Sequence, residues 1–114
     1  MITFTDPRAV DFLLKHRYVY TIRKTKRPTG RQVTIIKGER GTSWRTYSKV
    51  TRVILVTNNT LDQFYKESGF DSWTSWRDAA EKLHNVTLGA GVLVPEDGDY
   101  SIFKVELIEK EGFP

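Results

Sequence analysis

The sequence predicts an α+β fold: a small, mostly antiparallel β-barrel flanked by about three helices. Two observations carry this. The order of segments is a helix, a run of short strands, two helices and a strand pair. The strand segments are short, alternate in polarity and are separated by glycine turns, a pattern that tends to curl so that exposed edges are removed. With 114 residues the chain fits one domain, residues 1–114, and can bury a core without staples.

The elements follow in order. "TDPRAVDFLLKH" reads as a first helix, with Asp6 as cap and Pro7 at the first helical position, where its missing N–H is no loss. Val10, Leu13 and Leu14 recur at helical spacing and face a core. "RYVYTIRK", from Arg17 to Lys24, alternates as a strand. Tyr18, Tyr20 and Ile22 lie on one side, and Arg17, Val19, Thr21 and Arg23 on the other. "KRPTGR" is a loop, "QVTIIKG" a second strand and "GERG" a second turn. Ser43 to Thr57 is long and β-rich, which predicts two strands or one bent by a bulge. "TLDQFYKESGF" reads as a short helix ending at Gly69. "DSWTSWRDAAEKLHN" is a second helix capped by Asp71 or Ser72, with Trp76, Ala79, Ala80 and Leu83 as its buried stripe. "AGVLVPEDGDYSIFKVELIEK" reads as a hairpin, with Phe103, Val105 and Leu107 as the core row of its second arm.

Charge is distributed unevenly. Lysine and arginine total 18 against 14 acidic residues. From Arg17 to Arg52 there are eleven basic residues and one acid, Glu39, leaving 7 basic against 13 acidic residues elsewhere. A one-sided field of this kind attracts polyanions, of which nucleic acid is the commonest. There is no cysteine, which removes disulfides, thiolate nucleophiles and cysteine-based zinc sites. His16 and His84 stand in no metal-ligand spacing, so neither a metal nor a cofactor is expected. No apolar run reaches the twenty or so residues that span a bilayer, and "MITFTDPRAV" lacks the layout of a secretory signal. A cytoplasmic protein without a membrane partner is the expectation.

The candidate site is the strand face that carries Arg17, Thr21 and Arg23. A guanidinium fork matches phosphate or carboxylate geometry, and a neighbouring hydroxyl donates or accepts. Such a face is either plain solvent surface or the floor of an anion-binding cleft. Lys24, Lys26, Arg27 and Arg31, with Lys37, extend it as a surface for phosphate-backbone contacts. The aromatic residues are numerous, and exposed ones can stack on bases. Trp76 belongs to the helix stripe and to the core, Trp73 stands at the mouth of the cleft, and Tyr18 and Tyr20 point away from Arg23.

Three stretches together resemble the ASCH domain, a branch of the PUA-like barrels. They are "FLLKHRYVYTIR", a helix ending just before a basic strand; "TGRQVTII", a glycine ahead of a strand; and "FYKESGFDSWTSWRDAAEKLH", a helical pair broken at Gly69. The family signature of glycine, lysine, glutamate and arginine falls on His16, Tyr18, Thr21 and Arg23, of which Arg23 alone fits. The resemblance implies a small barrel with a cleft between the helices and the motif strand, and RNA or a nucleotide as partner. In one branch, amidohydrolases that deacetylate N4-acetylcytidine use a lysine, a threonine and a glutamate. Thr21 matches that threonine and Glu67 is the match for the glutamate, while the lysine position is Tyr18, which carries no ammonium. RNA binding is therefore the leading expectation. A nucleoside deacetylase using Thr21 and Glu67, and a module binding a peptide or carboxylate, are the alternatives.

Overall fold

The computed structural model describes residues 1–38, 41–84 and 100–108. Its elements are β1 (Ile2–Phe4), α1 (Pro7–His16), β2 (Tyr18–Lys24), β3 (Gly30–Lys37), β4 (Ser43–Leu55), α2 (Asn58–Phe64), a 3₁₀ turn at Tyr65–Glu67, α3 (Trp73–His84) and β5 (Tyr100–Leu107). The strands form one sheet in the order β1-β3-β4-β5-β2. Every neighbouring pair is antiparallel except β1 with β3, which is parallel. The sheet curls until its two edge strands meet, and the Arg23 guanidinium on β2 donates to the Thr3 carbonyl on β1 at 2.9 Å. The result is an α+β half-barrel.

Alternation sends one row of every strand inward. Ile2, Phe4, Val19, Ile36, Val50, Phe103, Val105 and Leu107 form the inner core, against which α1 lays Val10 and Leu13. The Phe103, Val105 and Leu107 row is thus buried as its periodicity requires. The opposite face is covered where β2 and β5 lie side by side. There Ile22, Tyr100 and Ile102 pack with Leu61 of α2, Phe70, and Trp76 and Ala80 of α3. Among the described residues the sheet is therefore sandwiched at its β2–β5 side.

Local chemistry accounts for most boundaries. Asp6 caps α1 by accepting from the Arg8 N–H at 2.9 Å. Thr57 and Thr60 form a reciprocal capping box that starts α2 at Asn58, two residues before the Thr60 start suggested by the sequence. Ser72, not Asp71, accepts from the Ser75 N–H at 3.1 Å at the head of α3. β4 is one long strand whose register steps between Arg52 and Ile54, a bulge that leaves Val53 over.

Four expectations need correction or completion. β1 was not anticipated, because three residues carry too short an alternation and its partner lies some thirty residues away. Arg17 is not a strand residue. It takes a left-handed conformation, φ 68°, as the C-cap of α1, and its N–H donates to the Leu13 carbonyl. Leu83 is not buried with the α3 stripe but is 49% exposed. The first arm of the expected hairpin, with its "PEDGD" turn, lies outside the described residues.

Candidate functional site

A cavity of about 310 Å³ opens beside β2, where the β1–α1 corner and α3 come together. Phe4, Ile22, Phe70 and Trp76 line it with apolar surface, and Thr21 and Arg23 reach it from β2. Arg8, Lys82 and Leu83 stand around it as well. The corner is held close by Gly69. A Cβ there would lie 2.3 Å from the Arg8 carbonyl oxygen, and its φ of +91° is one that side-chain-bearing residues rarely adopt.

Arg23 is the distinctive group. Only 9% of the residue is exposed. Its Nε donates to the Thr21 hydroxyl at 3.1 Å and its Nη2 to the Thr3 carbonyl at 2.9 Å, while the guanidinium carbon sits 5.2 Å from the centre of the Phe4 ring. Among the described residues no carboxylate pairs with it. Burial, and secondarily the charge of Arg27, pulls its pKa down to about 10. A guanidinium has five N–H donors, so two contacts leave others to serve a ligand. Arg27 adds to the field: its Nη2 donates to the Met1 carbonyl, its Nε is buried with no hydrogen-bond partner among the described residues, and burial lowers its pKa.

The other charges of the cavity are partly neutralised. Arg8 forms a fork with Asp6, at 3.2 Å from Nε and 3.0 Å from Nη2, and covers the Phe70 ring at 4.3 Å. Burial alone would raise the Asp6 pKa, but its hydrogen bonds from Arg8 outweigh this and lower it. Among the described residues, three cations (Arg8, Arg23 and Lys82) thus line the cavity with one carboxylate, Asp6.

The residues singled out in the sequence are not all brought together. Thr21 and Arg23 are adjacent and face the cavity. Arg27 lies beside them, through its effect on Arg23. Arg17 caps α1 just ahead of β2, six residues or roughly 20 Å of extended chain before Arg23. Lys24 and Lys26 are exposed, and Lys24 points to the opposite strand face from Arg23. Arg31 is on the outward side of β3, its guanidinium 4.5 Å from the centre of the Tyr47 ring. Trp73 does not line the cavity. It packs on the outer core beneath Arg77, whose guanidinium is 5.4 Å from its ring centre, and Trp76, one helical turn on, takes the place at the wall.

Glu67 sits in the 3₁₀ turn on the other side of β2. Burial first, then its charge and hydrogen bonds, raise the phenol pKa values of Tyr18 and Tyr20. Tyr18 and Tyr20 alternate with Thr21 along β2, so the strand itself separates Glu67 from the Thr21 hydroxyl. The residues that sequence reasoning passed over are Phe4, Arg8 and Phe70. The available signal was weak: an alternating "ITFT" ahead of the helix, and an apolar residue directly after Gly69.

No family model, no curated protein and no solved structure matches this chain. Among the described residues there is no group of three metal-ligating side chains, and no helix is long and apolar enough to cross a membrane.

Proposed function

We propose that the chain is a small RNA- or nucleotide-binding domain of the ASCH type, whose cavity beside β2 receives one nucleotide unit. The observation that carries this reading is the Arg23 guanidinium: buried, lacking a carboxylate partner among the described residues, and lining a cavity with aromatic walls. Holding a cation out of water is costly unless something compensates. An anionic ligand compensates, and a phosphate oxygen accepts the guanidinium donors with charge-assisted geometry. Phe4, Phe70 and Trp76 suit the planar, apolar faces of a base, and the cavity falls at the small end of the range for ligand sites. The basic excess between Arg17 and Arg52 draws a polyanion toward the domain.

Deacetylation at Thr21 has less support. Its hydroxyl accepts from Arg23, and the carboxylate matched to the family's acid lies across the strand. A hydroxyl nucleophile needs an adjacent base.

The test is calorimetric titration of nucleoside monophosphates and of a short unstructured RNA at two salt concentrations. Binding should weaken as salt rises, and Arg23→Met should abolish nucleotide binding while the fold survives. Absence of binding at low salt, or full nucleotide affinity in Arg23→Met, refutes the reading. Tight capture of a carboxylate-terminated peptide in place of nucleotides would identify an interaction module instead.

A further inference from the structure

We propose that the outward face of β3 and β4 is a second surface, one that binds single-stranded nucleic acid independently of the cavity. The register pairs Arg31 with Lys49, Val33 with Tyr47, Ile35 with Arg45 and Lys37 with Ser43. The alternate row of these strands, including Thr34, Ile36, Thr46, Ser48 and Val50, is buried in the half-barrel. Parity therefore turns the first set outward. Arg31, Lys37, Arg45 and Lys49 are exposed, and they frame the half-buried Val33 and Ile35 and the exposed ring of Tyr47.

Neither strand contains an acidic residue. Among the described residues, Glu106 of β5 stands opposite Lys49, and its carboxylate lies 3.8 Å from the Lys104 ammonium. Arg31 stands directly opposite Lys49, which sets two cations side by side on this face. A polyanion laid over the face meets both. Arg45 and Lys49 are four residues apart, about 13 Å along β4, enough to engage more than one phosphate of an extended strand.

Charge alone would suit any polyanion, but the centre of the surface is more specific. The Arg31 guanidinium lies 4.5 Å from the centre of the Tyr47 ring. An aromatic ring and a guanidinium plane both offer faces on which unpaired bases stack. Cations at the margin with a stacking platform in the middle describe a surface for single-stranded nucleic acid. An acidic peptide or a polyphosphate has no base to place on Tyr47.

The experiment is fluorescence anisotropy with end-labelled ten-nucleotide oligouridine and oligoadenine, and with inorganic polyphosphate as a competitor. The substitutions at Tyr47, Arg45 and Lys49 are at exposed positions, and circular dichroism confirms the fold of every variant. Tyr47→Ala should weaken oligonucleotide binding by about 5- to 100-fold, with Tyr47→Phe close to wild type. The Arg45→Gln/Lys49→Gln pair should flatten the dependence of log affinity on log salt by about 1.4, two charges at about 0.7 each. Polyphosphate should compete equally well with wild type and Tyr47→Ala. Arg23→Met should leave this binding in place, which separates it from the cavity. The proposal is overturned if wild type binds neither oligonucleotide at low salt, or if Tyr47→Ala and the glutamine pair bind as wild type. It is overturned equally if Arg23→Met alone abolishes binding.

Discussion

Arg23→Met removes the buried guanidinium while keeping a long, unbranched side chain in its place. Two energies oppose one another. Lowering the guanidinium pKa from its ordinary value to about 10 corresponds to a cost of about 3 kcal/mol for holding the charge in the folded state, and the methionine relieves it. Burying the apolar replacement returns about another 1 kcal/mol. Against this stand two charged hydrogen bonds, to the Thr21 hydroxyl and the Thr3 carbonyl, at about 1.5–3 kcal/mol each. The sums nearly cancel, so the variant should unfold within about 2 kcal/mol of wild type, in line with the near-neutral replacement of buried charges by apolar groups. The assay is urea unfolding with linear extrapolation, requiring an unchanged slope, run beside the nucleotide titration. Near-normal stability with lost binding is the expected pair of results. A loss of more than about 3 kcal/mol would show that Arg23 is chiefly a bracket between the edge strands β1 and β2. The functional reading of the buried cation would then fall.

Three further substitutions probe the frame of the site. Gly69→Ala should destabilise by about 2–5 kcal/mol in the same unfolding assay, because its Cβ meets the Arg8 backbone and its φ is positive; a neutral result would mean that the corner yields easily. Arg17→Gly should raise the melting temperature by a few degrees, about 0.5–1 kcal/mol, by relieving the left-handed cap; a fall instead would show that the contacts of the arginine side chain outweigh its backbone strain. Asp6→Ala should cost about 0.5–2 kcal/mol at neutral pH through loss of the α1 cap. The Asp6 pKa is lower in the folded chain than its usual 3.8, so this contribution is complete above that value and fades as pH falls through the lower folded one. Wild type and Asp6→Ala should therefore converge in stability in strong acid, and a constant gap down to pH 2 would contradict the assignment.

Much of the local structure was legible. Asp6 and Pro7 mark the start of α1, alternation marks β2 and β5, and β-branched density marks the long β4 with its bend. The pairing of Thr21 with Arg23 on one strand face was legible too, because side-chain direction alternates with a period of two. The exposure of that face was not, since periodicity says which residues share a side and nothing about what the side meets. Arg17 shows the limit at an element boundary: one left-handed residue removes it from the row to which its parity assigns it. Trp73 and Trp76 show the same limit on a helix, where three positions decide between packing beneath Arg77 and lining the cavity.

The order of residues, by itself, determined most of the secondary elements other than β1, the cap of α1, the basic stretch and the shared direction of Thr21 and Arg23. These depend on neighbours within a few positions of the chain. Tertiary structure alone decided that Arg23 is buried and reaches Thr3, twenty residues away, and that Glu67 lies across the strand from Thr21. It also decided that four cations of β3 and β4 surround one exposed tyrosine. Those facts arise from sheet curvature and strand order, which are set by contacts between distant segments.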